Sequence, residues 1–430
     1  MKPIYIGLLG LGTVGSGVVK IIKDHQDKIM HQVGCPVEIK KILVQDLKKT
    51  RSVLVENNLL TTNPKEILND SEIDVVIEVM GGVKDTKGFL LEALRQGKHV
   101  VTANKDLMAT HGSELLNVSS LNGCDLFYEA SVAGGIPILR GLVDGLASDR
   151  ITKMMGIVNG TTNYILTKMS KEGRAYEEVL KEAQDLGFAE SDPTSDVEGL
   201  DSARKMAILA TLGFSMNIAL EDVLVNGISG VTEEDLHYGN QLGYTMKLIG
   251  YAHRQGEKVE VSVQPTFLAN HHPLASVQNE YNAVYVYGEA VGETMFYGPG
   301  AGSLPTATAV VSDLVGVIKN LRLGVNGRSA VTPQFSKCLK NADEKFSKYF
   351  LRLHVQDEVG VFSDITSTFA NFGVSFEKIL QLPVEKNKIA EIVLVTHTAS
   401  LNSYEKILNS LRDKKTIKEI KSSYKVEGNS

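Results

Sequence analysis

The sequence is poor in the residues that mark several classes of protein. It contains no tryptophan and only three cysteines in 430 residues, at positions 35, 124 and 338. Three widely spaced cysteines argue against a disulfide framework and against a CxxC metal site. No stretch approaches about 20 uninterrupted apolar residues, so we expect no membrane span. The first apolar run also reaches glycine too soon for a signal peptide.

The chain lacks any excess of positive charge. Its 45 Lys and Arg residues stand against 51 Asp and Glu residues, which gives a net charge of -6. A mildly acidic chain has no broad electrostatic footprint for nucleic acid, so we expect no nucleic-acid partner. Its length suffices for two or three domains with a large core. These features together predict a cytoplasmic globular protein.

A glycine-rich turn lies at the start of the chain, between a predicted strand and a predicted helix. The apolar run at residues 4–9 is followed by GLGTVG and then by the helical pattern VVKIIKD. This spacing is typical of a dinucleotide cradle, where the glycines allow a tight turn and a close approach to pyrophosphate. Backbone N–H groups at the helix start then face the phosphates. We expect cofactor contacts from Gly10, Gly12, Thr13, Val14 and Gly15.

The second predicted strand ends at a residue that bears on the choice of cofactor. Asp46 can accept the adenosine ribose hydroxyls, which favours NAD. Lys48, Lys49 and Arg51 can instead hold the 2′-phosphate of NADP, or simply lie in a solvated loop. The two signals conflict, and the sequence leaves the preference between NAD and NADP open.

Two further residues stand at positions that favour a role in a site. Lys105 follows the apolar strand HVVT, and ligands of open parallel sheets bind beyond the carboxyl ends of strands. Glu129 precedes a turn that contains two glycines. That turn can join two domains, or it can hold a monovalent cation through the carboxylate and nearby carbonyl oxygens.

The stretch from 187 to 205, GFAESDPTSDVEGLDSARK, is the strongest candidate for a substrate site. Pro193 and its turn-forming neighbours predict an irregular first half, and a helix is expected from Leu200 onward. On that helix Asp201 and Lys205 share one face, as an exposed ion pair or as functional groups. More carboxylates crowd the approach than a helix cap needs: Glu190, Asp192, Asp196 and Glu198. The cluster suits a small cationic substrate group, with one lysine left for proton transfer.

Two polar turns complete the set of candidates. Between residues 159 and 163, Gly160 and Thr161 can contact a substrate carboxylate, although Thr161 can equally cap the next helix. The second turn, GPGAGSLPTAT at 298–308, can form the far wall of a nicotinamide pocket or an ordinary strand-to-helix connection.

The order of the predicted elements gives an α/β fold with three parts. Residues 1–130 form a Rossmann dinucleotide-binding domain, to which a helix near 305–325 is expected to return. Residues 131–325 form a mixed-sheet α/β catalytic and dimerisation domain, and residues 326–347 form a linker. Residues 348–430 have a βαββαβ order that resembles an ACT domain, a regulatory module that commonly binds amino acids. An appendage used only for dimerisation is the alternative.

The motifs taken together resemble one family, homoserine dehydrogenase. GLGTVG, VTANKD, EASVAGGIP, NGTTNYIL, GFAESDPTSDVEGLDSARK and GPGAGSLPTATAVVSDL occur in the order and spacing of that family. The resemblance implies NAD(P)-dependent interconversion of L-homoserine and L-aspartate 4-semialdehyde. No kinase-sized segment precedes GLGTVG, so we expect a monofunctional enzyme.

The resemblance also implies roles for individual residues. Lys205 is expected to be the catalytic acid/base, with Lys105 as its partner. The expected substrate-binding residues are Glu190, Asp201, Gly160 and Thr161, to which the acidic cluster adds Asp196. Gly187 and Gly302 match cofactor-contacting positions. A sodium ion is expected at Glu129 and at the carbonyl oxygens of Val132, Gly134 and Ile136.

The sequence departs from the family pattern at two positions. Gln45 stands where many relatives carry a basic residue, which weakens the case for NADP. Phe188 stands where many carry tyrosine, which removes one possible hydrogen bond to the substrate.

Two other functions are alternatives to a homoserine dehydrogenase. Aspartate-semialdehyde dehydrogenase would need a nucleophilic cysteine, and Cys124 has no histidine nearby in sequence. An amino-acid-sensing protein without catalysis would have no use for Lys105 and Lys205 as proton donors. The resemblance places the chain in threonine and methionine biosynthesis, which implies L-threonine as an effector of the ACT module. Paired ACT modules imply a homodimer or homotetramer.

Overall fold

The computed structural model of this chain describes residues 2–327, 333–384 and 388–428. Residues 328–332, inside the predicted linker, lie outside the described residues. So do residues 385–387 and 429–430 of the predicted C-terminal module. The chain divides into two compact units. The first comprises the described residues of Met1–Met154, Arg204–Asp222 and Asn282–Lys337, and the second those of Met155–Ala203, Val223–Tyr281 and Cys338–Ser430.

Short strands alternate with helices in the first 140 residues. The strands are β1 (Ile4–Leu9), β2 (Val37–Leu43), β3 (Leu60–Thr61), β4 (Ile73–Glu78), β5 (His99–Thr102) and β6 (Leu126–Phe127). The helices are α1 (Thr13–Asp24), α2 (Gln26–Val33), α3 (Lys65–Leu68), α4 (Lys84–Arg95), α5 (Lys105–Leu121) and α6 (Ile138–Arg140). This alternation is the sequence pattern that a parallel sheet with helical crossovers requires.

The middle of the chain contains longer strands. Its elements are β7 (Ile151–Ile157), α7 (Gly160–Glu172), α8 (Tyr176–Asp185), α9 (Thr194–Val197), α10 (Leu200–Phe214), β8 (Leu224–Val225), α11 (Glu233–Gln241), β9 (Tyr244–Gln255) and β10 (Lys258–Ala269). A hairpin and a long helix follow, namely β11 (Tyr281–Gly288), β12 (Gly292–Pro299) and α12 (Ser303–Leu323). Helix α10 begins where the sequence predicted it. The single turn of α9 lies in the stretch predicted to be irregular, because Asp192 accepts a hydrogen bond from the Thr194 N–H and starts a turn there.

The C-terminal elements have the predicted βαββαβ order. They are β13 (Phe346–Gln356), α13 (Val361–Asn371), β14 (Phe376–Val384), β15 (Ile389–Thr396), β16 (Ala399–Ser400), α14 (Leu401–Arg412) and β17 (Ile417–Glu427). Buried apolar residues of β13, β15, α13 and α14 form one core, in which Phe369 and Leu353 are fully buried. This small core is the structural basis of the predicted ACT fold.

The sheet of the first unit has the strand order β3-β2-β1-β4-β5-β6. Its neighbouring strands are parallel. That order reverses at β1, the strand that precedes GLGTVG, so the glycine turn lies at the point where a doubly wound sheet binds ligands. The predicted Rossmann fold is confirmed. Helix α12 packs against α1 and shares its hydrophobic core.

In the second unit the strands follow the order β7-β9-β10-β17-β13-β15-β14. Strand β10 is antiparallel to β9 and parallel to β17, so the ACT strands continue the catalytic sheet. Nearly every residue of β10 is buried. Its central place between β9 and β17 explains this burial. In the described part of the chain, no helix is long and apolar enough to cross a bilayer.

Candidate active site

The glycine turn has the conformation that a dinucleotide cradle needs. Gly10 has a φ of 105°, a value that side-chain-bearing residues rarely adopt. A Cβ atom on Gly15 would lie within 3.0 Å of the Gly10 carbonyl oxygen, so this position must stay small for α1 to start there. A Cβ on Gly12 would instead meet no atom within 4 Å. The space beside Gly12 is therefore open to a ligand.

A cavity of about 480 Å³ adjoins the glycine turn. It is lined by Gly10 and Gly12 and also by Asp46, Lys49 and Arg51. The Asp46 carboxylate accepts a hydrogen bond from the Lys48 N–H at 2.8 Å. The cavity thus offers both a carboxylate and cations to the adenosine end of a dinucleotide. These residues fit the cofactor with either 2′ substituent, the hydroxyl of NAD or the phosphate of NADP.

Lys105 is the first residue of α5, and β5 ends just before it at Thr102. The Asn104 side chain caps this helix, since its Oδ1 accepts a hydrogen bond from the Leu107 N–H at 3.0 Å. The Asn104 amide also donates to the Gly82 carbonyl at 2.6 Å. The cap fixes the residue before Lys105 at the carboxyl edge of the parallel sheet, where the sequence predicted it.

Lys205 is nearly buried, with 9% of its surface exposed, on helix α10. Its neighbour Arg204 forms an ion pair with Asp106, the residue that follows Lys105. Within the first unit, this contact links the helix that carries Lys205 to the helix that starts with Lys105. The residues next to the two predicted catalytic lysines are therefore in contact.

Glu129 is held by backbone N–H groups. Its two carboxylate oxygens accept hydrogen bonds from the N–H groups of Leu139 and Arg140, each at 2.8 Å. Burial raises the pKa of the Glu129 carboxyl. The following loop contains two successive residues with a φ of 54°, Ala133 and Gly134. These contacts fix one end of the loop that carries the predicted carbonyl ligands.

Asp313 is a neighbour of Glu129 that the sequence analysis missed. The Glu129 N–H donates to Asp313 Oδ2 at 2.8 Å, and Arg140 Nε donates to Asp313 Oδ1 at 3.1 Å. Burial raises the pKa of Asp313 to about 7. A lone acidic residue within the apolar helical run AVVSDLVGVI was the available signal, because a buried carboxylate needs such partners.

Asn159 organises the acidic side chains of the second unit. Its amide nitrogen donates to Asp196 Oδ1 at 2.7 Å and to Asp201 Oδ2 at 2.9 Å. Its Oδ1 accepts from the Thr162 N–H at 2.9 Å and so caps α7. The alternative in which Thr161 caps this helix is wrong, because Asn159 occupies that role. Asp201 is almost completely buried, at 2% exposure.

Gly160 and Thr161 form the first turn of α7. A Cβ on Gly160 would lie within 3.0 Å of the Glu280 carbonyl oxygen, so only glycine fits there. The Thr161 hydroxyl donates to the Phe188 carbonyl at 2.6 Å. The Phe188 ring packs against Tyr164 with a centroid distance of 5.0 Å. These contacts join the two polar segments that the sequence had singled out separately.

The remaining predicted residues lie around this group or in the first unit. Gly187 has a φ of 78° and Glu190 is exposed at the surface of the second unit. Gly302, with a φ of 120°, immediately precedes α12 in the first unit. Within the described ranges, no group of three or more His, Cys, Asp or Glu side chains is arranged to hold a metal ion.

Lys247 is a second buried residue that the sequence analysis missed. Its ammonium nitrogen donates to Asn163 Oδ1 at 2.9 Å and to the Val277 carbonyl, and only 2% of its surface is exposed. The Asn163 amide in turn donates to the Asn279 carbonyl at 2.8 Å. A lysine inside the apolar run YTMKLIG was the available signal. The network fixes the helix that begins with Gly160.

Cys124 does not have the environment of a nucleophile. It is buried, and burial raises the pKa of its thiol to about 11. A nucleophilic cysteine needs a lowered pKa and an accessible sulfur. The structure therefore gives no support to an aspartate-semialdehyde dehydrogenase reading.

Comparison with known proteins agrees with this geometry. Residues 10–129 match the family model of the homoserine dehydrogenase NAD-binding domain, residues 137–315 that of homoserine dehydrogenase, and residues 349–415 that of the ACT domain. The homoserine dehydrogenase of Bacillus subtilis is 67% identical over 430 residues, which cover 100% of this chain and 99% of that protein.

Solved structures give the same result. A homoserine dehydrogenase from Thiobacillus denitrificans superposes with a TM-score of 0.93 at 37% identity, covering 99% of both chains. A hyperthermophilic archaeal homoserine dehydrogenase in complex with NADPH superposes with a TM-score of 0.62 at 26% identity, covering 74% of this chain and 98% of that one.

The doubly wound sheet, its glycine turn and the match to the NAD-binding domain of homoserine dehydrogenase define an NAD(P)-dependent oxidoreductase. With full-length identity of 67% to a curated relative, the chain belongs to the homoserine dehydrogenase family. The predicted family is confirmed.

Proposed function

We propose that this chain interconverts L-homoserine and L-aspartate 4-semialdehyde, with Lys205 as the acid/base. One observation carries the proposal: a nearly buried lysine follows the buried Asp201 by one turn of the same helix, α10. A buried cation beside a substrate-binding carboxylate suits proton transfer to a small zwitterion better than it suits stability.

The glycine turn would hold the cofactor. The residues in contact with it would be Gly10, Gly12, Thr13, Val14 and Gly15 from the turn, with Lys105, Gly187 and Gly302 nearer the nicotinamide. When bound, NAD(P)(H) accepts or supplies the hydride of the reaction. The N-terminus of α1 provides backbone N–H groups for the pyrophosphate. Asp46 favours NAD, whereas Lys49 and Arg51 favour NADP.

The substrate would bind through its two charged ends. Glu190, Asp196 and Asp201 provide negative charge for the ammonium group. Gly160 and Thr161 provide backbone N–H groups at the start of α7, a position that attracts a carboxylate. Asn159, by binding two of the carboxylates, keeps them oriented.

Lys205 would move the proton. In the direction of reduction, its ammonium donates a proton to the aldehyde oxygen of the substrate. In the direction of oxidation, its neutral amine removes the hydroxyl proton of homoserine. Lys105 would be the partner, because a second cation near the reacting oxygen stabilises developing negative charge there.

We also propose a sodium ion at the loop that follows Glu129. Carboxylate and carbonyl oxygens are the ligands that hard cations take, and this loop offers Glu129 with the carbonyls of Val132, Gly134 and Ile136. The positive φ angles of Ala133 and Gly134 support it, since they redirect successive carbonyl groups. Activity should fall when sodium is replaced by a bulky organic cation.

The ACT fold supports regulation by an amino acid, and we propose L-threonine as the effector. We further propose a homodimer or homotetramer. Strand β12 pairs with β11 and, among the described strands, ends their sheet, so its outer edge is open to pairing with a second subunit. Light scattering at several protein concentrations would measure the assembly.

The central experiment follows nicotinamide absorbance with L-homoserine, offering NAD and NADP separately to the wild type and to Lys205→Ala. We expect turnover in the wild type and a loss of at least about 100-fold in kcat for the variant. Lys168→Ala, which removes a half-buried lysine of α7 that pairs with Glu172, is the matched control. A folded wild type without turnover on either cofactor would favour the alternative of an amino-acid-sensing protein without catalysis.

A further inference from the structure

Glu78 is a buried carboxylate outside the residues assigned to catalysis, substrate or cofactor. It is the last residue of β4, and none of its surface is exposed. Its register partner is Thr102, the last residue of the neighbouring strand β5. Both residues therefore lie at the carboxyl edge of the parallel sheet, where a doubly wound fold binds its ligands. A buried carboxylate costs free energy unless hydrogen bonds satisfy its oxygens, and both oxygens of Glu78 have such bonds.

One oxygen of Glu78 holds the loop that follows β4. Glu78 Oε1 accepts hydrogen bonds from the Met80 N–H at 2.8 Å and from the Gly81 N–H at 3.0 Å. Met80 lines the cavity beside the glycine turn, and a Cβ on Gly10 would lie 3.0 Å from the Met80 Cα. Gly81 and Gly82 have φ values of 73° and 74°, so this loop has little side-chain bulk to fix it. Glu78 thus fixes one wall of the cavity that the cofactor would occupy.

The other oxygen of Glu78 is linked to the residues in front of Lys105. Thr102 Oγ1 donates to Glu78 Oε2 at 2.5 Å and accepts from the Asn104 N–H at 3.1 Å. The Asn104 side chain caps α5, the helix that begins with Lys105, and its amide donates to the Gly82 carbonyl. A ring of hydrogen bonds therefore joins the cofactor loop to the start of α5.

This arrangement requires an acceptor with two oxygens. Donors approach Glu78 from both sides, two from the loop and one from Thr102. Burial raises the pKa of the Glu78 carboxyl, and the three hydrogen bonds oppose that shift because they favour the ionised form. An ionised carboxylate accepts through both oxygens, whereas glutamine accepts through one oxygen and donates through its amide nitrogen. Glutamine could therefore satisfy the loop or the Thr102 hydroxyl, but not both.

We propose that Glu78 is a positioning residue that holds Lys105 and the loop at residues 80–82 in a fixed relation to each other. It acts through Met80 and Gly81 on one side and through Thr102 on the other. Where it concerns turnover, the inference rests on the proposed function, because the role of Lys105 belongs to that function. The geometric part, that loss of the second acceptor loosens the loop or the start of α5, stands independently of it.

Hydrogen–deuterium exchange tests the geometry without any turnover. In Glu78→Gln we expect at least about fivefold faster amide exchange in the peptide that covers residues 80–82 or in the peptide that covers the start of α5. Thr102→Val keeps the shape of the side chain but removes the hydroxyl, so it should speed exchange at the start of α5 only. Thr102→Ser keeps the hydroxyl and should exchange as the wild type does. Glu72→Gln, at an exposed position just before β4, is the matched control and should change neither peptide.

Fluorescence titration with NADH and steady-state kinetics test the consequences for function. Thr102→Val should bind NADH within about twofold of the wild-type affinity and yet lower kcat about tenfold, and Thr102→Ser should retain most of the activity. Glu78→Gln should weaken NADH binding or lower kcat by at least about fivefold, according to which of the two peptides exchanges faster. A purely structural role would lower the urea midpoint without separating kcat from NADH affinity in this way.

Two results would overturn the proposal. One is unchanged exchange in both peptides of Glu78→Gln, and the other is a loss of kcat in Thr102→Ser as large as that in Thr102→Val. If Glu78→Gln did not fold, the two Thr102 variants would decide the question through exchange at the start of α5. A wild type that binds NADH but does not oxidise homoserine would contradict the proposed function, whereas the exchange results would still decide the role of Glu78.

Discussion

Arg204 Nε lies 2.8 Å from Asp106 Oδ1, and this ion pair joins the neighbours of the two lysines proposed for catalysis. Arg204 precedes Lys205 on α10, and Asp106 follows Lys105 at the start of α5. The Arg204 and Asp106 side chains are 23% and 41% exposed. A pair that accessible contributes little to stability, about 0–1 kcal/mol. We expect this ion pair instead to hold the two lysine-bearing helices in register.

Replacing Arg204 should therefore affect catalysis more than stability. We expect Arg204→Met to lower kcat by about tenfold, with little change in the KM for cofactor and a loss of stability near 1 kcal/mol or less. Arg204→Lys should restore part of the activity, because it restores the charge. Steady-state kinetics and urea denaturation measure the two effects.

A matched control is Arg150→Met, which removes another exposed ion pair, with Glu289, far from either lysine in sequence. It should leave kcat unchanged. Equal losses of kcat in Arg150→Met and Arg204→Met would contradict a positioning role for the Arg204–Asp106 pair.

Two glycines of the cofactor turn should respond differently to alanine. Gly12 has a φ of -87° and open space around its Cβ position, so Gly12→Ala should fold normally and yet bind cofactor at least about tenfold more weakly. Gly15→Ala forces a Cβ against the Gly10 carbonyl and should destabilise the first unit by about 1–3 kcal/mol. Fluorescence titration with NADH and thermal unfolding separate the two outcomes. Normal cofactor binding by Gly12→Ala would show that the pyrophosphate does not approach this turn.

The sequence predicted those parts of the site that depend on local pattern. The turn at Gly10, the start of α10 at Leu200 and the place of Lys105 after β5 follow from short motifs and from strand and helix periodicity. The Rossmann and ACT folds were predictable for the same reason. Each consists of short strands and helices that alternate along the chain, so the local sequence pattern indicates each element.

The hydrogen-bond partners of buried polar residues were not predictable in that way. Asn159 binds Asp196 and Asp201, which lie 37 and 42 residues away, and Asp313 binds Glu129 across 184 residues. Only the packed fold determines such partners. The burial of β10 on both faces had the same origin, because it depends on a strand, β17, from the far end of the chain.

The effect of replacing Asn159 should depend on the charge of the new side chain. Asn159→Ala removes the donor shared by two carboxylates and the cap of α7, so we expect a loss of about 1–3 kcal/mol in the free energy of unfolding and a raised KM for homoserine. Asn159→Asp keeps the cap but places a third carboxylate beside Asp196 and Asp201. Like charges at this distance repel, so its KM should rise further at neutral pH and recover partly at lower pH.

The exposed Asn240, which donates to Ser170 Oγ at 3.2 Å, provides the control. Asn240→Ala should cost less than about 0.5 kcal/mol. If Asn159→Asp were as active as the wild type at every pH, Asn159 would have no role in orienting the carboxylates.

Lys247 should make the stability of the protein depend on pH. Burial lowers the pKa of this lysine to about 7, from about 10.4 in an unfolded chain. Between these values the unfolded state binds more protons than the folded state, so this group makes the folded state more stable as pH rises. From pH 7 to pH 9 the gain from this one group is about 2 kcal/mol, an order-of-magnitude value.

Lys247→Met removes the titrating group while keeping its apolar length. The variant should therefore lose most of that gain, so that the difference in unfolding free energy between wild type and variant grows by about 2 kcal/mol from pH 7 to pH 9. Urea denaturation at both pH values measures this difference. Subtracting the free energy of the variant from that of the wild type removes the contribution of the titratable groups that the two proteins share. Lys181→Met, at an exposed position of α8, should show the same pH dependence as the wild type. Parallel curves for wild type and Lys247→Met would mean that Lys247 stays charged in the fold, with Asn163 Oδ1 and the Val277 carbonyl accepting hydrogen bonds from an ammonium group.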